Sequence, residues 1–127
     1  MKKSIAPISD LLVNISAPAR LEILLVIGAS EACVCHLEAR LGYRQAYISQ
    51  HLMALRQAGL LDSRRDGKYV FYRLAKPEVL SLIEQAAQIS GVTLPTFEVV
   101  SPEKQCACPN CTPELIEKIE IIGDSRA

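Results

Sequence analysis

Five cysteines carry the most reactive chemistry in this 127-residue chain: Cys33 and Cys35, then Cys106, Cys108 and Cys111. Thiolates are soft ligands and select Zn, Cd, Pb, Cu(I) or trivalent arsenic over hard cations. Three of them suit a pyramidal As(III) or Sb(III); four suit a tetrahedral Zn or Cd. An odd number of cysteines in a reducing compartment argues for metal binding or redox function over a disulfide scaffold. The run Cys106-x-Cys108-x-x-Cys111 is the denser group. Core packing does not explain it, since Pro109 and Asn110 beside it favour a tight turn. Cys33 and Cys35 each also read as small buried hydrophobes. At i, i+2 a regular helix holds them about 200° apart. Sharing one ion therefore requires a distorted helix start, or one of the pair with ligands from elsewhere. The tail could close over either, in its own subunit or across a dimer. His36 is a possible nitrogen ligand, though such a histidine is more often an exposed cap residue; His51 reads as structural or DNA-facing.

The elements that position these residues follow from periodicity. Val34, Leu37 and Leu41 share one face of a helix that Gly42 stops. Ile48, Leu52 and Leu55 mark a second helix, about Gln45 to Ala58, with Gly59 after it. Two short helices around a tight glycine turn are a helix-turn-helix pattern. The face opposite Ile48 carries Ala46, Gln50, Met53 and Gln57, flanked by Tyr47 and Ser49. Amides and hydroxyls there are groups that read base edges in a major groove, although an ordinary polar face has the same look.

After Gly59 the period changes to two. Leu61–Arg65 and Lys68–Leu74 flank Asp66-Gly67, which predicts a hairpin with a type I′ turn. Arg64, Arg65 and Lys68 cluster at its tip; directly behind a reader helix this is a wing that reaches phosphate or the minor groove. Upstream, Ile5–Ile15 is a short amphipathic helix. Ser16 is a candidate cap for a second helix opened by Pro18 and ended by Gly28, and Ser30 one for the helix bearing Cys33 and Cys35. Downstream, Pro77 opens a helix with Val79, Leu80, Ile83, Ala86 and Ala87 on an apolar face that needs a partner. Val92–Ser101 is extended, and Thr112 can cap a last helix from Pro113.

Charge sharpens the reading. Lysine plus arginine and aspartate plus glutamate both number 14, so the chain is neutral overall. Arg40 to Lys76 is nevertheless net +6, and the part from Pro77 onward net −5. A basic centre on a neutral protein is a local footprint for phosphate. No apolar run reaches transmembrane length and the start MKKSIAPISD has no signal-peptide core, so a cytoplasmic protein without a membrane partner is expected.

Glu31-x-Cys33-Val34-Cys35-x-Leu37, followed by the helix pair, the AGLL step and the RRDGKYVFYRL hairpin, resembles the ArsR-type winged-helix metal-sensing repressors. The resemblance covers roughly Ala6 to Ile89. It implies a mainly α fold with a β-hairpin wing, a homodimer packed through its first and last family helices, and operator DNA held in the metal-free state and released on metal binding. It further implies Gln45, Tyr47, Ser49 and Gln50 as base and phosphate contacts, joined by Arg56 on the reader and by Arg64, Arg65 and Lys68 in the wing. Cys33 and Cys35 match the family's thiolate pair. The chain departs from the pattern in having His36 where an aspartate is common, in lacking the His/Asp pattern of zinc-sensing members after Pro77, and in adding Cys106, Cys108 and Cys111. The expected organisation is a winged helix-turn-helix over 1–92 and a cysteine-containing extension over 93–127. The expected function is repression relieved by a soft ion (As(III)/Sb(III), Cd, Pb or Zn). A redox- or persulfide-responsive repressor using the same cysteines is the alternative. A thiol-based metal buffer or oxidoreductase is the competing class, for which the basic centre and the wing have no use, and no catalytic constellation is evident.

Overall fold

The computed structural model describes residues 2–95. Cys106, Cys108 and Cys111, the helix from Pro113 and the division of the chain after residue 92 fall outside the described residues or depend on them. The elements in chain order are α1 (Lys2–Ser16), α2 (Pro18–Ile27), β1 (Glu31–Cys33), α3 (Val34–Leu41), α4 (Gln45–Gln57), β2 (Leu61–Asp66), β3 (Tyr69–Leu74) and α5 (Glu78–Ser90). The fold is the expected mainly helical one with an antiparallel hairpin.

Three local expectations are corrected. The cap of α2 is Ala17, not Ser16. A residue before proline is pushed out of the α region, so the break falls at Ala17 (φ −64°, ψ 131°). Ser16 stays in α1, its hydroxyl donating to the Val13 carbonyl at 3.1 Å. Likewise Ser30 does not cap the third helix. Its hydroxyl donates back to the Ile27 carbonyl, and a short strand intervenes before α3 begins. The hairpin turn is also shifted by one residue: Asp66 pairs with Tyr69, leaving Gly67-Lys68 as the two-residue loop. Positive φ is confined to Gly67 (61°), which fits a turn with glycine first, II′, where I′ needs positive φ at both positions.

The core is built from the predicted stripes. Ile23, Leu24, Leu37, Ile48, Leu52 and Leu55 are fully buried in one cluster that α2, α3 and α4 share with β2, β3 and α5. Gly42 lets α3 end in the left-handed conformation (φ 77°), a turn that a side chain would strain, and so sets the angle at which α4 leaves. Three strands form one sheet in the order β1-β3-β2. Cys33 pairs with Phe71, and Phe71 in turn with Arg64. One sheet face joins the main core through Leu61, Tyr72 and Leu74. The other carries a second cluster of Cys33 and Phe71 with Cys35 and Tyr69 against it. Away from the sheet, Ile5, Ile8, Leu12 and Val13 of α1 and Ile89 of α5 remain exposed.

Candidate nucleic-acid interface and thiol site

Helix α4, the expected reader, is held from behind and open in front. Ile48, Leu52 and Leu55 are buried completely, which fixes its rotation. Gln45, Gln50 and Met53 then stand exposed, Tyr47 keeps 43% of its surface, and Ser49 is half-buried at the flank. Arg56 is exposed in the last turn, where a cation also complements the helix C-terminus.

A side-chain column ties α4 to the helices behind it. Tyr43 donates its hydroxyl to Glu22 at 2.6 Å, and that bond, helped by burial, raises the phenol pKa. Tyr43 packs on Tyr47, and Tyr47 meets His51 edge-on at 4.6 Å. Arg20 of α2 donates from Nε to His51 Nδ1 at 3.0 Å and from Nη1 to the Asn14 carbonyl. An Nδ1 that accepts from a guanidinium must lack its proton, so His51 is neutral with hydrogen on Nε2, a buried atom without a partner among the described residues. Burial, then the Arg20 charge, lowers the His51 pKa from 6.5; burial, then Arg40, lowers that of His36.

A pH dependence follows with a definite sign. Above the ordinary imidazole pKa of 6.5 both states are neutral and the native contacts are intact. As pH falls below it the unfolded chain takes up protons that the native state resists, so stability declines through the depressed folded values. Urea denaturation at pH 7.5 and pH 5.5 should show lower stability at the acid end. His51→Gln, which keeps an acceptor for Arg20 but does not titrate there, should reduce that difference; an undiminished difference would mean that His51 does not contribute.

The thiol pair sits at a strand-to-helix junction. Cys33 is the last residue of β1 and the cap of α3, extended at φ −92° and ψ 169°, and Cys35 lies in the first turn of α3. This junction resolves the 200° conflict, because the two cysteines are not on one regular helix. Their sulfurs approach to 2.9 Å. Cys33 is buried, Cys35 partly so, and His36 beside them is half-buried.

The wing connects to this junction. Phe71, 1% exposed, walls the cysteine side of the sheet. Arg64 lies across the ring with its guanidinium carbon 4.5 Å from the centroid and grips Glu31. Its Nε donates to both carboxylate oxygens, at 2.8 and 3.1 Å, and Nη2 donates to Oε1. Arg64 is thus folded back over the sheet, whereas Arg65 and Lys68 are exposed toward the tip. Lys68 lies over Tyr69 at 5.4 Å. The role of Glu31 escaped the sequence reading because a three-residue strand has no period to detect; Phe71 lies in the predicted hairpin, and only its pairing with Cys33 was hidden. The signal for them was the cysteine spacing itself, which was incompatible with a helix running through both.

The donor set fits a soft ion in type but not in number. Among the described residues no three His, Cys, Asp or Glu side chains converge. Cys33 and Cys35 supply two of the four sulfurs of a tetrahedral site, and zinc–sulfur bonds of about 2.3 Å in a tetrahedron hold sulfurs roughly 3.8 Å apart. The 2.9 Å pair would have to open to hold one ion.

The model of the bacterial regulatory proteins of the arsR family matches residues 17–63. The chain is 42% identical over 84 residues to a biofilm growth-associated repressor from Agrobacterium fabrum, covering 66% of this chain and 72% of that one. It is also 42% identical over 80 residues to the arsenic resistance transcriptional regulator ArsR1 of Pseudomonas putida, covering 63% and 60%. The structure of reduced HlyU from Vibrio cholerae superposes with a TM-score of 0.64 at 36% identity, over 70% of this chain and 94% of that one.

Proposed function

Because the chain belongs to the arsR family of bacterial regulatory proteins, we propose that it is a transcriptional repressor that binds operator DNA as a homodimer and lets go when its cysteines take up a soft metal or metalloid ion. The observation that carries this reading is the placement of Cys33 and Cys35 at the mouth of α3, the helix that leads through Gly42 into the reader α4. Strain at that junction is delivered to the reader through one short helix and one turn. Cys33 and Cys35 would hold the ion as thiolates, with further ligands from the tail cysteines Cys106, Cys108 and Cys111. The arsenic resistance relative supports As(III) or Sb(III) among the candidates; Cd, Pb and Zn share the thiolate preference.

The test is a DNA titration with base- and phosphate-directed variants. Gln50→Ala should weaken operator binding by about 1–3 kcal/mol if it pairs with a base, and should spare random DNA. Arg65→Ala should weaken all sequences alike and lower the salt slope by about 0.9 per phosphate contact. Unchanged operator affinity in both would sink the reader-and-wing assignment.

The dimer is proposed from the faces left uncovered. Leu12, Ile15, Leu82, Ile83 and Ala87 line an apolar groove of about 260 Å³ between α1 and α5, continuous with the exposed Val92. A second copy that covers it would set two readers on successive turns of DNA, about 34 Å apart. Sedimentation at micromolar concentration should give a dimer with and without metal; a monomer would overturn this arrangement.

A redox or persulfide signal is the second reading, favoured by the 2.9 Å approach of the sulfurs and by the redox state named for reduced HlyU. Release of DNA by antimonyl tartrate in anaerobic buffer with excess reductant supports the ion. Release only by tetrathionate or a persulfide donor supports the second.

A further inference from the structure

Arg64 lies within the net-positive stretch from Arg40 to Lys76, yet its charge is already engaged inside the chain. Glu31 takes it through three donor–acceptor contacts, and the guanidinium lies flat on Phe71. The pair is not sealed in, since Arg64 keeps 48% of its side-chain surface and Glu31 keeps 23%. Ion pairs this exposed are weak, on the order of 0–1 kcal/mol. A phosphate brought up by the neighbouring Arg65 and Lys68 would be a competing anion of the same geometry, because a guanidinium fork matches carboxylate and phosphate equally. Phe71 is equally suited to either state, as it supports the guanidinium whichever anion lies beyond its edge. We propose that Arg64 exchanges between the Glu31 carboxylate and a backbone phosphate of DNA, so that Glu31 is a built-in competitor that limits how tightly the wing holds DNA.

Glu31 in this role is a positioning residue that acts through Arg64. It also sits two residues before Cys33 on the same face of β1, and Phe71 packs both on Cys33 and under Arg64. The competitor therefore stands on the same short strand as Cys33.

The inference rests on the DNA-binding reading above, and a double-mutant cycle separates the two. Operator affinity of the full-length protein is measured by fluorescence anisotropy over a range of KCl for wild type, Glu31→Gln, Arg64→Gln and the double variant. Glu31→Gln should raise affinity about two- to fivefold at low salt. It should also steepen the slope of log K against log salt by about 0.9, the signature of one added phosphate contact, which a merely structural change does not produce. In the Arg64→Gln background the same substitution should do neither. Equal gains in both backgrounds would overturn the exchange in favour of a general loss of negative charge, and so would unchanged affinity and slope in Glu31→Gln. If Glu31→Gln is too unstable to assay, Glu31→Asp replaces it: a carboxylate drawn back by one methylene should give a smaller gain of the same sign, and none would overturn the proposal. Wild-type protein that binds no operator at all would remove the DNA-binding reading, and the exchange with it.

Discussion

Replacing Cys33 and Cys35 together by serine is expected to leave operator binding within about twofold of wild type while abolishing its release by antimonyl tartrate. Typical coupling between an effector and DNA is about 1–3 kcal/mol, or 5- to 150-fold in affinity, and the double variant should lose all of it. The reasoning is local. The cysteines lie at the β1–α3 junction, and no residue of the exposed reader face is altered. A ligand shifts an equilibrium only by its differential affinity for the two states; without thiolates at the junction that difference vanishes. Cys33 is buried, so a serine there places a hydroxyl in an apolar cluster. A parallel Cys33→Ala, Cys35→Ala variant separates that effect from loss of the ligand. Single changes at Cys106, Cys108 and Cys111 then report on the tail. If they abolish release as well, the tail completes the site; if release is normal in all three, the tail serves another purpose. Full release in the Cys33/Cys35 double variant would show that the signal does not enter at this junction.

The largest loss of stability should come from Phe71→Ala, at about 3–5 kcal/mol. The ring is 1% exposed and is the bulk of the second cluster, so its removal opens a cavity beside Cys33 and withdraws the surface on which Arg64 rests. For a folded unit of this size that is on the order of 15 °C or more in thermal midpoint. Tyr69, which packs on the same cluster but is only half-buried, provides the comparison: Tyr69→Ala should cost less than half as much. Urea denaturation of both decides it. A Phe71→Ala cost below about 1 kcal/mol would mean that the outer face of the sheet contributes little to the fold.

The helical part of this architecture was legible because each helix carries its own period and its own stop. Leu37 and Leu41 before Gly42, and Ile48, Leu52 and Leu55 before Gly59, specify two helices without reference to anything else. The cap at Ala17 was not legible in the same way: a serine is the better cap by chemistry, and only the steric demand of Pro18 on the residue before it moves the break. The turn at Gly67-Lys68 shows a similar limit. An Asp-Gly pair is a strong hairpin signal, but one residue of register is decided by which partners the strands find, here Leu61 with Leu74. Most of what was missed concerns β1. Three residues cannot show alternation, and their strand character comes wholly from pairing with Phe71, Tyr72 and Arg73, some 40 positions away. The Arg64–Glu31 pair spans 33 positions and was hidden for the same reason. Arg64 was read as a tip residue free for phosphate from local sequence alone.

The sheet order has a mechanical consequence. β3 is flanked on both sides only as far as the row that holds Cys33, Phe71 and Arg64. Beyond that row, toward Gly67, the hairpin continues as two strands, and two-stranded ribbons are marginal on their own. The wing is therefore a cantilever, clamped at its root by β1 and overhanging by about 7 Å from Phe71 to Tyr69 at roughly 3.4 Å per residue, before the turn is counted. A cantilever is most sensitive at the edge of its clamp, where a small rotation becomes the largest displacement at the free end. Cys33 occupies that edge. A displacement of Cys33 there would tilt the overhang that carries Arg65 and Lys68, in addition to straining the start of α3.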